Sequence, residues 1–412
     1  MNQRFSRDVM WNVASLGIAG VCGLGVNFLI SHAYGTTALG VFNQVFAAYM
    51  IFSQLAALGV HTSILTHGAA APEHERRAIF TAGLVVLAAQ ATVVAVVFAA
   101  AAPLIGRLVD SPDVSTGMLW AAPGLLCFAV NKGALAILNS LQRMRLYAVF
   151  QGGRVVMMCV AFGAFVLADL PVVALPVILS VGEGTVLAGA LLAIRRDVGR
   201  GPVGAWPRRH FRFGARGFLS GLFTDLSTRS DVLILGVFAA DNIVGAYSFA
   251  AIMAEGVYQV LIALRTNYAP ILVRQLAAGG GDVVATVARA RTKVYVGAAA
   301  VAVVAIAGYA LVVPLISADP LVRGSWVYFA IILGGMAASA GYAPFAQLLL
   351  WAGRPGWHTI LVAVIVGVGT ALDLVMVRAW GPEGAAIAVA LTYAWSVVAL
   401  RLLVGRVLQL RI

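Results

Sequence analysis

Residues 79–105 read IFTAGLVVLAAQATVVAVVFAAAAPLI, twenty-seven positions without one charged side chain. A hydrocarbon core is crossed by ~20 helical residues, so this stretch is long enough to span a membrane by itself. The rest of the chain repeats the pattern. Breaking the sequence at charge, Gly and Pro leaves twelve such segments: 9–32, 41–65, 79–105, 118–141, 148–168, 171–194, 214–239, 244–270, 294–316, 325–351, 358–379 and 384–405. The sixth is interrupted by Pro171, Pro176 and Glu183. The first follows Arg4 and Arg7 in the manner of a signal peptide, but it is span-length and eleven more follow, so a retained helix is expected.

Composition agrees. Of 412 residues, 61% are hydrophobic and 11% charged, with mean hydropathy +0.95. Soluble domains carry roughly 25% charged residues, and a soluble chain this apolar could not cover its surface. The expectation is a polytopic integral membrane protein; secreted enzymes, nucleic-acid binders and disulfide scaffolds are excluded. Cys22, Cys127 and Cys159 all fall inside apolar stretches, as packing residues would.

The formal charge of +12 fits topology rather than nucleic acid. Of the 28 Lys and Arg residues, Lys132, Arg154, Arg229 and Arg265 lie within spans. Assigning alternate loops to opposite sides leaves Arg107, Arg323 and Arg378 on one side and the other 21 opposite, together with both termini. The positive-inside rule places that basic side in the cytoplasm. The longest loop, Arg195 to Gly214, is basic and carries Gly201, Pro202, Gly204 and Pro207. It divides the chain into a half over 1–200, a cytoplasmic linker over 201–213 and a half over 214–412.

Halves that both start on one side are parallel repeats. Tyr34, Gly35, Gly40 and Phe42 echo Ala239, Ala240, Gly245 and Tyr247 at an offset of 205, and Arg143 echoes Arg354 at 211. The fold expected is all-α and membrane-integral, with about 12 transmembrane helices. No loop is long enough for a catalytic domain, and there is no Walker A sequence, nucleophile elbow or zinc-protease helix. His32, His61, His67, His74, His210 and His358 lack metal-ligand spacing. No enzyme activity, metal or cofactor is expected.

Ordered motifs over nearly the whole chain resemble polysaccharide-biosynthesis (Wzx-like) flippases of the multidrug/oligosaccharidyl-lipid/polysaccharide exporter superfamily. They are Trp11 and Asn12 with the Gly35, Leu39, Gly40, Phe42 turn; Thr228 to Asp231 followed by Leu233 to Gly236 and Gly245 to Ala250; and Ala352 to Pro355, Ala371 to Leu374 and Trp380 to Ala388. Asp373 departs from the Asn common at that position in the family. The resemblance implies two six-helix halves around a central cavity and alternating access. It also implies a polyprenyl-diphosphate-linked oligosaccharide carried from the cytoplasmic to the outer leaflet of the inner (plasma) membrane for O-antigen, capsule or exopolysaccharide assembly. Membrane lipid, a polysaccharide polymerase and export machinery would be its partners, with no nucleic acid. The competing expectations are a cation-coupled multidrug exporter of the same superfamily and a membrane-embedded enzyme acting on lipid-linked sugars.

Charges inside spans cost ~2.5–3.5 kcal/mol each on insertion scales and usually face a cavity or a partner. Arg229 is the leading candidate for the diphosphate, because a guanidinium donates paired hydrogen bonds to it; an internal pair with Asp225 at i−4 competes with that role. Lys132, Arg154 and Arg265 are further candidates, the last two with the alternative of snorkelling to the interface. Asp225, Asp231, Glu255, Glu183 and Asp373 are candidates for H+ or Na+ coupling or for internal pairing. Gly17, Gly20, Gly23 and Gly25 suit close packing in the first span, and Pro103, Pro123, Pro270, Pro314 and Pro344 are possible kinks.

Overall fold

In a computed structural model, which describes residues 3–199, 203–277 and 282–410, the described residues form helices and no strands. Gln3–Ala57 divides at Gly35 into α1 (residues 3–34) and α2 (36–57), and α2 resumes as Val60–Ala70 past a break at Leu58 and Gly59. Then come α3 (Glu73–Leu108), α4 (Pro112–Ser140), α5 (Met144–Leu167), α6 (Val177–Ile194), α7 (Trp206–Phe238), α8 (Asp241–Ala277), α9 (Val283–Ile316) and α10 (Trp326–Ser339). Pro355–Leu408 divides at Gly381 into α11 (355–380) and α12 (382–408). Among the described residues, eight helical segments are long and apolar enough to cross a membrane. Two of these are the pairs joined at Gly35 and Gly381, and the more polar α7 and α8 bring the number of spans to twelve.

The two glycines make hairpins with almost no loop. Gly35 has φ 80° and ψ 179°, and Gly381 has φ 58° and ψ −133°. A side chain tolerates neither region well, which is why glycine stands at both reversals. Prolines act according to register. Pro103, Pro123 and Pro314 sit inside continuous helices, whereas Pro176 ends the 3-10 turn Val172–Ala174 segment and leads into α6. Beyond α10 the span continues as the 3-10 turn Ala343–Phe345 around Pro344 and the short helix Leu348–Trp351.

The chain forms two compact units. One joins residues up to Tyr34 with Val41–Asp225; the other joins Gly35–Gly40 with Leu226 onward. In the first, α4 is the central helix, with buried residues from Val114 to Ser140. Its glycines permit this: a Cβ on Gly124 would meet the backbone of Leu179 and Ser180 on α6, and one on Gly133 would meet Leu84 and Leu87 on α3. Val60, Ile64, Phe80, Leu87, Leu135 and Ile194 close the core around it. In the second unit Leu272, Val287, Phe345, Leu349, Leu361 and Leu400 form the main core. The cysteines are all free thiols, and the Cys159 thiol points at the Cys22 carbonyl at 3.7 Å.

The repeat at offset 205 has a structural counterpart within the second unit. A Cβ on Gly40 would strike the Asp241 carbonyl, and a Cβ on Gly245 would strike the Thr36 carbonyl. Each glycine therefore sits against the residue equivalent to its own neighbour four positions back. The starts of α2 and α8 cross there reciprocally, as two copies of one motif would.

Candidate substrate and ion sites within the spans

In the first unit, α4, α5 and α6 bring three charged side chains and an amide together. Glu183 on α6 is fully buried, and its Oε1 lies 3.0 Å from Arg154 Nε on α5 in ion-pair contact. Its Oε2 accepts from Asn131 Nδ2 on α4 at 2.8 Å, and the same amide reaches the Glu183 carbonyl at 2.9 Å. Two cations flank the Phe128 ring: Lys132 Nζ at 4.8 Å and the Arg154 guanidinium carbon at 4.7 Å from the centroid. Lys132 is close enough for its charge to act on Glu183.

This arrangement follows from α4 geometry. Phe128, Asn131 and Lys132 at i, i+3 and i+4 share one face. Desolvating an ion pair is offset only where hydrogen bonds and neighbouring charges complete it, which Asn131 and Lys132 do for Glu183. Each cation over the ring adds about 0.5–2 kcal/mol. The snorkelling alternative for Arg154 gives way: the side chain turns inward to Glu183.

The second unit holds the other candidates except Asp225, which is the last residue of the first. Arg229 Nη2 on α7 stands 3.5 Å from Glu255 Oε2 on α8, both side chains mostly shielded. Glu255 thus partners Arg229 from a neighbouring helix. Asp225 lies on α7, but its side chain is outside the described residues. Asp231 is buried and its Oδ2 accepts from Tyr247 Oη at 2.7 Å; Asp373 on α11 is buried and its Oδ2 accepts from Ser230 Oγ at 3.3 Å. The two carboxyls lie near enough to interact electrostatically. Among the described residues, neither Asp231 Oδ1 nor Asp373 Oδ1 has a hydrogen-bond partner. Arg265 on α8 is half-buried, with Nε shielded and its charge acting on Tyr258 and His358.

The candidates thus form two groups rather than one: Lys132, Arg154 and Glu183; and Arg229, Glu255, Asp231 and Asp373, where the Arg229 charge acts on Asp231. Arg265 stands apart from them. Sequence reasoning missed the neutral partners Asn131, Tyr247 and Ser230. A signal existed, because each stands within a turn of a charged candidate or inside a motif already singled out. No group of three or more His, Cys, Asp and Glu side chains suited to a metal ion occurs among the described residues.

At the start of α7, ahead of the apolar run that begins at 214, His210 is enclosed by α2 and α3. Its Nε2 is 3.0 Å from the Ile79 carbonyl and its Nδ1 2.9 Å from Ser63 Oγ, which is itself 3.1 Å from His67 Nδ1. One tautomer satisfies all three contacts: His210 donates to Ile79 and accepts from Ser63, which accepts from His67. Burial, with His67 nearby, pushes the His210 pKa down to about 4.

Solved structures share the whole fold. The lipid II flippase MurJ in an inward closed conformation aligns with a TM-score of 0.77 at 10% identity, covering 97% of this chain and 87% of that one. The Vibrio cholerae MATE transporter VcmN in the bent form aligns at 0.59 and 14%, covering 99% and 96%. An inward-facing multidrug resistance MATE transporter of the MOP superfamily aligns at 0.63 and 15%, covering 95% and 92%. No curated protein matches the sequence. The chain's fold is that of the MOP exporters, and a family model described as polysaccharide biosynthesis protein matches residues 5–277, more than half the chain, so the chain belongs to that family.

Proposed function

We propose that the protein flips a polyprenyl-diphosphate-linked oligosaccharide from the cytoplasmic to the outer leaflet of the plasma membrane, by alternating access, and is not an enzyme. Both termini would lie in the cytoplasm, the side with 21 Lys and Arg residues in its loops and termini. The observation that carries this reading is the basic cluster in the first unit, where two cations stand with one carboxylate among apolar helices. A saccharide cannot cross hydrocarbon unaided, because its hydroxyls would lose their hydrogen bonds. Fixed cations compensate the diphosphate charge without reorganising, and Arg154 and Lys132 are already held in position by Glu183 and Phe128. Arg229 supplies a further guanidinium, and its 3.5 Å contact with Glu255 is loose enough to exchange for a phosphate oxygen. Arg265 would serve the same anion from α8.

Asp231 and Asp373 would take the driving ion, H+ or Na+. The support is the pair of carboxylate oxygens without protein donors, backed by Tyr247 and Ser230. Polysaccharide polymerase and export machinery would receive the product.

Mass spectrometry of polyprenyl-diphosphate lipids in a strain lacking the gene tests the reading. Accumulation of one oligosaccharide-loaded lipid, with surface polysaccharide lost, supports flipping. An unchanged lipid pool with altered drug tolerance overturns it in favour of a cation-coupled drug exporter. Complementation with Arg229→Ala should restore insertion but not surface polysaccharide; normal polysaccharide would remove Arg229 from the substrate path.

A further inference from the structure

A recess of about 350 Å³ opens on the second unit between α8, α9 and α10. That is within the roughly 300–1,000 Å³ typical of ligand sites. Sequence creates it: α9 places Gly297, Ala298 and Ala302 on one face, too small to reach Leu333 and Met336 on α10. A Cβ on Gly297 would meet nothing within 4 Å. The lining is aliphatic except at the tyrosines and at one end of α9, where Lys293 stands as the apolar run begins. Tyr268 closes the same end from α8 and is braced by Phe345, ring centroids 5.4 Å apart.

Two properties identify an occupant. From Lys293 to Ala302 the helix rises about 14 Å, close to one leaflet, which is half of the ~30 Å hydrocarbon core. The charge stands at the level where lipid headgroups begin, with Arg289 exposed one turn further out. Among the described residues no carboxylate pairs with Lys293. An apolar slot one leaflet deep, with a cation and a tyrosine at its mouth, matches one acyl chain beneath a phosphate.

We propose that this recess binds an anionic membrane phospholipid, one acyl chain lying along Gly297, Ala298 and Ala302 and the phosphate on Lys293. None of the charged groups proposed for cargo or coupling ion lines the recess, although the Arg265 charge acts on Tyr258 in its wall, and the site does not depend on what the protein carries.

Native mass spectrometry of the full-length protein in detergent, titrated with dioleoyl-phosphatidylglycerol and dioleoyl-phosphatidylcholine, tests it. One phosphatidylglycerol should bind in preference to phosphatidylcholine. Lys293→Gln should weaken phosphatidylglycerol about fivefold, the effect of one basic residue at an anionic surface, and leave phosphatidylcholine unchanged. Gly297→Leu should fill the recess and remove the tight step for both lipids. Because Lys293→Gln is an exposed, mild change, it remains informative if Gly297→Leu does not fold. Equal binding of the two lipids, variants that bind like the parent, or one-for-one displacement by tighter-binding polyprenyl phosphate would each overturn the proposal, the last by assigning the recess to the cargo's tail.

Discussion

The two units partner their intramembrane charges differently. The first has Lys132 and Arg154 with Glu183 and Asp225; the second has Arg229 and Arg265 with Asp231, Glu255 and Asp373. Their carboxylates also differ in kind. Glu183 accepts from the Asn131 amide on Oε2 and has the Arg154 guanidinium 3.0 Å from Oε1, an ion-pair contact without a hydrogen bond. Asp231 and Asp373 each receive one hydroxyl and keep a second oxygen without a donor. A carboxylate that is completed by its neighbours builds a rigid basic site, while one left incomplete can exchange a proton or small cation. The difference supports the proposed assignment of the coupling ion to Asp231 and Asp373.

The largest effect should come from breaking the completed site. Glu183→Ala leaves Arg154 desolvated without its counter-charge, a loss of about 3–5 kcal/mol, read as reduced unfolding free energy in detergent. A smaller loss than for either acid of the second unit would reverse the comparison. Tyr247→Phe removes one hydrogen bond from Asp231 and should cost about 1.5–3 kcal/mol if that acid is ionised. The same change should shift the pH or Na+ dependence of transport, which a purely structural tyrosine would not.

A third test concerns His210, which is neutral in the fold with a pKa of about 4 against 6.5 for a free imidazole. The unfolded chain takes up a proton as pH falls below about 6.5, while the folded one does not until about 4. Stability from this site is therefore full above pH 6.5 and is lost between 6.5 and 4. His210→Asn should flatten that part of the stability–pH curve, and an unchanged curve would place the titration elsewhere. The smallest effect is expected from Asp373→Asn, which keeps shape and hydrogen-bonding capacity. Stability should change by no more than about 0.5–1.5 kcal/mol, the scale of the Ser230 hydrogen bond, so a complete loss of ion-dependent transport in a folded variant would be attributable to charge.

Much of this was legible in the sequence, for a physical reason. Lipid forces every backbone polar group into helical hydrogen bonds, so 79–105 announced α3 (Glu73–Leu108) by composition alone. The twelve spans follow in the same way. Helix breaks were harder, because a proline's consequence depends on its neighbours. Pro103 is absorbed in α3, whereas Pro344 accompanies a 3-10 turn. Partner choice was not legible. The i−4 rule offered Asp225 to Arg229, and the Asp225 side chain lies outside the described residues; the contact with Glu255 crosses between helices in a register that no single helix encodes. Likewise Glu183 read as an interruption of a weak span, because its stabilising groups lie on α4 and α5.

The hairpins at Gly35 and Gly381 also decide where the polypeptide can be handled from outside. A reversal made by one residue offers no slack for a protease and no room for an inserted epitope. Tags placed there would unstitch two helices at once.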